Sequence, residues 1–201
     1  MSKLGTITKY QRAKIRTNLR AIYGRASEEQ RESGKAWYKE ANNICTELSN
    51  ELGYDSGTVA SVLSALSPRN KWERNIIDTR VVLEAVRLDK KPAEVRVCTF
   101  NTNKVKAFDI AQGKLQITDT SRKTNAFVKN IANLDEARVT IDVWHLRACF
   151  GKTITGGLTP LRYDIIEQIT LDEAHKVGLK GYEYQAIIWE TIKSWKDINK
   201  I

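Results

Sequence analysis

Ser121-Arg122-Lys123-Thr124-Asn125-Ala126-Phe127 and, nineteen positions after its lysine, the aspartate of Ile141-Asp142-Val143-Trp144-His145-Leu146-Arg147 decide how this chain reads. The first stretch sets a lysine at the head of an amphipathic helix predicted over about 120–134. The second sets an aspartate where a short β-branched run, Val139-Thr140-Ile141, gives way to another helix running to Phe150. One amine and one carboxylate are thus expected at two helix N-termini, joined by a tight helical hairpin. A helix N-terminus carries partial positive charge, which keeps an acid ionised there.

Outward from this pair, apolar residues recur with a 3.6-residue period over most of the chain, which holds only three prolines and eleven glycines. A helix is predicted over 7–25, with Ile15, Leu19, Ile22 and Tyr23 on its apolar face. A second covers about 27–52, with Trp37, Ala41, Ile44 and Leu48 inward and Gly53 as its stop. Asp55 or Ser56 caps a third helix, apolar nearly all round and therefore central, which Pro68 ends. Helix 70–88 turns Trp72, Ile76, Val82, Leu83 and Val86 inward. Pro92 lies in a short connection, and Glu94–Phe100 fits a strand or a helix. Asn101 or Thr102 caps a helix through Ala111, closed by Gly113. Loop 151–159 is rich in glycine and threonine, with Gly156-Gly157 its most flexible point. Two helices follow, about 160–177 and 182–197, carrying Ile165, Ile169, Tyr184, Ile188, Ile192 and Trp195. Trp37, Trp189 and Trp195 are expected in the core. The predicted fold class is all-α.

A chain of 201 residues suits one compact domain or two small lobes with a real core. No apolar run approaches the ~20 residues a membrane span needs, so no membrane association is expected. The first residues lack the pattern of a signal peptide, and Ser2 stands where myristoylation needs glycine. Cys45, Cys98 and Cys149 are widely scattered, with no C-x-x-C spacing, and His145 and His175 lack metal-ligand spacing. The expectation is an intracellular protein in a reducing cytoplasm (host cytoplasm if viral), with no metal and no cofactor.

The formal net charge is +9, of which residues 1–25 supply seven basic side chains and no acid. Lys9, Arg12, Arg16 and Arg20 fall on one face of the first helix, opposite its apolar stripe. Such a stripe faces a polyanion or simply solvent, and charge alone leaves both readings open.

The chain resembles the helix-hairpin-helix superfamily of DNA base-excision glycosylases, the endonuclease-III-like and 8-oxoguanine-glycosylase-like enzymes. The resemblance is carried by Arg122-Lys123-Thr124, its helix, the β-branched approach, and Asp142 with Arg147 five residues on. Upstream, Val62-Leu63-Ser64-Ala65 is similar to the superfamily's L-L-S-A segment, and Asn103-Lys104-Val105-Lys106-Ala107 to its N-x-K-A helix. The matches cover about residues 58–150. Two departures stand out. Thr118-Asp119-Thr120-Ser121 replaces the glycine-rich hairpin Pro-Gly-Val-Gly, and Trp144 replaces a histidine. Asp119 either brings negative charge toward a DNA phosphate or, like Thr120, N-caps the lysine helix.

The resemblance implies a two-lobed helical domain of residues 1–201 with a helix-hairpin-helix element and a cleft between lobes. One lobe would span about 58–134, and the other the N-terminal helices plus about 140–201. It implies a DNA glycosylase acting at C1′ of a modified or damaged nucleotide, and the compact size without cluster cysteines suggests a phage or bacterial version of it. Double-stranded DNA is the expected partner, with no obligate protein partner. Cleaving an N-glycosidic bond builds positive charge on the sugar, which the Asp142 carboxylate would stabilise. Lys123 would be the nucleophile of a Schiff base leading to strand cleavage; its alternative is a phosphate or water contact. Arg122, Lys129 and Arg147 would hold phosphates together with Arg12 and Arg16. The loop Leu66-Ser67-Pro68-Arg69-Asn70 would fill the gap left by an extruded base, with Arg69 and Asn70 bonding its orphaned partner. Trp72, Trp144, Tyr163 and His145 are candidate base-pocket residues, with packing as the alternative for each. A non-catalytic DNA-binding protein on the same scaffold, or a basic helical interaction protein, would share all but the chemistry.

Overall fold

The computed structural model describes residues 7–151 and 158–195. Among these the regular structure is entirely helical, as expected: α1 (Lys9–Gly24), α2 (Glu28–Leu52), α3 (Ser56–Leu66), α4 (Trp72–Arg87), α5 (Asn101–Ala111), α6 (Arg122–Asn133), α7 (Val143–Phe150), α8 (Pro160–Lys176) and α9 (Gly181–Ser194). Short 3₁₀ turns occupy Pro92–Glu94 and Asp119–Ser121. The flexible point expected at Gly156-Gly157 lies outside the described residues. The chain divides into two compact units, one of residues 41–133 and one of 1–40 with 134–201.

In the unit of residues 41–133, α3 packs against α4, α5 and α6. It starts where Asp55 accepts from the Thr58 amide at 2.9 Å, and Gly53 supplies the left-handed turn before it (φ +73°). Val59, Val62, Leu63 and Leu66 are fully buried. Each such side chain contributes roughly 1.5–3 kcal/mol of burial, so α3 is the spine of the unit. In α4, Val82 and Leu83 are buried as expected, whereas Trp72, Ile76 and Val86 are only half-buried. The cap expected at Asn101 or Thr102 is displaced, for both residues already lie in α5 and Phe100 occupies the N-cap position with no side-chain bond. Segment 95–100 is neither strand nor helix. Lys104 Nζ donates to its Val95 carbonyl and its Cys98 amide donates to Asp78, so side chains replace a ladder.

In the other unit, α1 packs on α7, α8 and α9, with α9 also against α7 and α8. A capping box of Thr8 and Gln11 starts α1, and Ile15, Leu19 and Ile22 are buried as its periodicity predicts. The first half of α2 lies close to α9: a Cβ added at Gly34 would sit 2.6 Å from the Ile187 amide nitrogen. Along α2, Ala41 and Leu48 are buried as expected, but Tyr38 and Cys45 are covered in place of their neighbours Trp37 and Ile44, which are only half-buried. The Tyr38 hydroxyl donates to Gln185 at 2.9 Å, and Trp37 meets Trp189 edge to face at 5.7 Å. Trp37, Trp189 and Trp195 are therefore partly exposed rather than core residues. No helix among the described residues is long and apolar enough to cross a membrane.

Candidate functional site

Asp142 is the N-cap of α7, in extended conformation (φ −96°, ψ −177°), and its Oδ1 accepts from the His145 amide at 2.7 Å. The β-branched run before it is irregular backbone held by α8. The Tyr163 hydroxyl donates to the Val139 carbonyl at 2.8 Å and accepts from the Ile141 amide at 3.2 Å. Glu167 Oε1 accepts from the Val139 amide at 2.8 Å and from Arg138 Nε at 2.9 Å. Asp142 is thus a half-buried carboxylate at a helix N-terminus, on an approach fixed by side chains of α8.

Lys123 is the second residue of α6 and is exposed. It belongs to the unit of residues 41–133, and Asp142 to the other. Ahead of it, Asp119 opens a 3₁₀ turn rather than capping α6, and its carboxylate lies 3.7 Å from Lys129 Nζ. Lys129 thus faces an acid of its own unit. Arg122 is the first residue of α6 and half-buried.

The loop after α3 is a preformed turn. The Asn70 amide returns to the Ser67 carbonyl, Arg69 is left-handed (φ +59°), and Thr99 Oγ1 donates to the Pro68 carbonyl. Its anchor is Asp78 of α4, fully buried, which accepts from Asn70 Nδ2 (2.9 Å), Arg74 Nε (2.8 Å) and the Cys98 amide (2.7 Å). Asn70 therefore spends its amide on Asp78 rather than presenting it to a base. Arg69 is exposed, its guanidinium 5.4 Å from the ring of Phe100, which is itself exposed. Sequence reading missed Asp78, whose partners lie on three separate segments.

Two of the four side chains of the basic stripe of α1, Arg16 and Arg20, are paired with acids within their unit. Arg16 meets Asp172 at 2.8 Å and Glu173 at 3.1 Å, and Arg20 Nε lies 2.5 Å from Glu173. Hydrogen bonding to Asp172 leads the effects that raise the Arg16 pKa further. Arg12 is exposed but donates from Nε to the Ile7 carbonyl.

Of the candidate pocket residues, Trp72 and Trp144 are half-buried, and the Arg147 guanidinium lies 4.6 Å from the Trp144 ring centroid. His145 and Tyr163 are buried, so neither lines an open pocket. The Thr170 hydroxyl donates to the Ile166 carbonyl, so at 2.9 Å it accepts from His145 Nε2–H, leaving Nδ1 unprotonated. Burial lowers the His145 pKa to about 4, keeping the ring neutral. Among the described residues no cluster of three His, Cys, Asp or Glu side chains could hold a metal ion.

Residues 1–196 match DUF7178, a family of unknown function. The chain belongs to that family. No curated protein and no solved structure matches it. The DUF7178 match, over residues 1–196, takes in all the helices α1 to α9 of both units.

Proposed function

We propose that the protein is a DNA N-glycosylase, excising a modified or damaged base from double-stranded DNA in the cytoplasm of a bacterium or of a phage-infected cell. The observation that carries this reading is Asp142, an N-cap carboxylate on a braced irregular segment. There it stabilises the oxocarbenium-like sugar as the glycosidic bond breaks, or activates the water that attacks C1′. An added lyase step would fall to Lys123 at the head of α6, its free amine displacing the base at C1′, the departing base taking up a proton and the sugar ring opening to a Schiff base. The exposure of Lys123 supports the alternative, a phosphate or water contact. Arg122, Arg147 and Arg69 are the phosphate and base contacts of this reading. Arg16, Lys129 and Asn70 would have to exchange the partners they hold within their own units, Asp172, Asp119 and Asp78, to join them.

The test is incubation with duplexes containing uracil, oxidised pyrimidines, 8-oxoguanine or hypermodified bases. Base release from at least one is expected, falling on the order of 10²–10³-fold or more in Asp142→Asn. Borohydride should trap an adduct that Lys123→Gln abolishes. No release from any duplex by folded protein refutes the glycosylase. A second reading, a non-catalytic DNA-binding protein, is favoured by Thr118-Asp119-Thr120-Ser121, where Asp119 stands in place of glycine. It requires salt-dependent duplex binding that is indifferent to Asp142→Asn.

A further inference from the structure

We infer that Tyr163 and Glu167 of α8 are positioning residues that aim the Asp142 carboxylate, an inference that rests on the glycosylase reading above. Residues 139–142 have no regular secondary structure, so their backbone polar groups need partners from elsewhere. Two side chains one turn apart on α8 supply them. Tyr163 bonds the Val139 carbonyl and the Ile141 amide, and Glu167 bonds the Val139 amide.

A hydroxyl that donates once and accepts once suits a carbonyl and an amide two residues apart. Burial raises the Tyr163 pKa, so the proton it donates stays in place. Glu167 is also held by Arg138 at 2.9 Å, the residue just before the run, which closes a loop of bonds around it. The side chains of Val139 and Ile141 are buried, so the segment is fixed by packing as well as by polar contacts. Asp142 is then constrained at both ends. Its backbone leaves a braced segment, and its Oδ1 is tied to the His145 amide. Neither Tyr163 nor Glu167 needs to touch substrate, because their effect is exerted through the backbone that delivers the carboxylate.

The experiment uses the full chain and two readouts. Tyr163→Phe keeps the ring and removes both hydrogen bonds, Glu167→Ala removes the acceptor, and Glu167→Gln keeps one. Hydrogen exchange at the Ile141 and His145 amides should accelerate in Tyr163→Phe and in Glu167→Ala, and less in Glu167→Gln. Single-turnover base release should fall on the order of tenfold or more in Tyr163→Phe, while duplex affinity stays within about twofold. Partial rescue by Glu167→Gln relative to Glu167→Ala is also expected. Wild-type exchange and wild-type release in Tyr163→Phe would overturn the inference. So would equal losses of affinity and rate, the sign of general unfolding. If Tyr163→Phe does not fold, Glu167→Ala and Glu167→Gln carry the same measurements. If the wild-type protein releases no base, the glycosylase reading has failed, and amide exchange alone decides whether α8 orders Asp142.

Discussion

Replacing Glu173 by glutamine tests the ion cluster that took the place of the expected basic stripe. The Glu173 carboxylate is 2 % exposed and accepts from Arg16 (3.1 Å), Arg20 (2.5 and 3.0 Å) and Lys176 (2.7 Å). Burial alone would raise its pKa, but the bonds from Arg20, Lys176 and Arg16 outweigh burial and lower it to about 2, from 4.5. A depressed folded pKa means stability that is fully present above 4.5 and lost as pH falls toward 2. That interval, at about 1.4 kcal/mol per pH unit, corresponds to about 3 kcal/mol. The value is a ceiling, because Arg20 and Lys176 are more than half exposed and solvent screens their share. At roughly 2–4 °C per kcal/mol for a chain of this size, Glu173→Gln should melt below wild type at pH 7 by no more than roughly 6–12 °C. Urea denaturation at pH 7, 5, 4, 3 and 2 is the assay. The two proteins should differ by more than about 1 and at most about 3 kcal/mol at neutral pH and converge near pH 2. A variant within about 1 kcal/mol of wild type at pH 7, or a gap that persists in acid, would show that the cluster is solvated decoration.

Three further outcomes are expected. The His145 pKa is lowered from 6.5 to about 4, so between those values the unfolded chain binds the extra proton. Stability should therefore decrease as pH drops from 6.5 to about 4, by at most about 3 kcal/mol, and His145→Gln should lack this limb. Gly34→Ala sets two effects against each other: a gain of about 1 kcal/mol in helix propensity and an added Cβ 2.6 Å from the Ile187 backbone. Backbone cannot retreat as a side chain can, so overpacking of about 1–3 kcal/mol should win and calorimetry should show a lower Tm. Asp78→Ala removes the shared acceptor of three donors that water can still reach in part, and should cost about 1–3 kcal/mol in urea denaturation, with new proteolytic nicking near residues 67–70.

The elements governed by local rules could be read from the sequence. The all-round apolar face of α3, the Asp55 cap, the Gly53 and Gly113 turns (φ +73° and +70°) and the Asp142 N-cap all depend on residues within four positions of one another. What escaped depends on distant partners. Arg16 and Arg20 look like a free basic stripe until Glu173, more than 150 positions on, is brought beside them. Asp78 reads as one more polar helix residue, yet it is buried because Asn70, Arg74 and Cys98 converge on it. The exchange of Trp37 for Tyr38 on the buried face of α2 has a similar origin, although Ala41 and Leu48 are buried as the spacing predicts. Spacing gives the period of an amphipathic helix, but α9 selects which of two adjacent aromatic residues, Trp37 or Tyr38, is covered. At the candidate site, Asp142 could be found from its position before a helix, whereas Tyr163 and Glu167 carry no local mark of what they hold.

The three thiols differ sharply in their surroundings. Cys45 and Cys149 are buried, with burial raising both pKa values, the former to about 12, whereas Cys98 is exposed. A maleimide dye should accordingly couple at Cys98 in the native protein and leave the other two untouched until denaturant is added. That attachment point is two residues from Phe100, on a backbone clasped by Asp78. The wild-type chain thus carries a ready-made handle for a fluorescent reporter beside the loop proposed to meet DNA, with no engineered cysteine required.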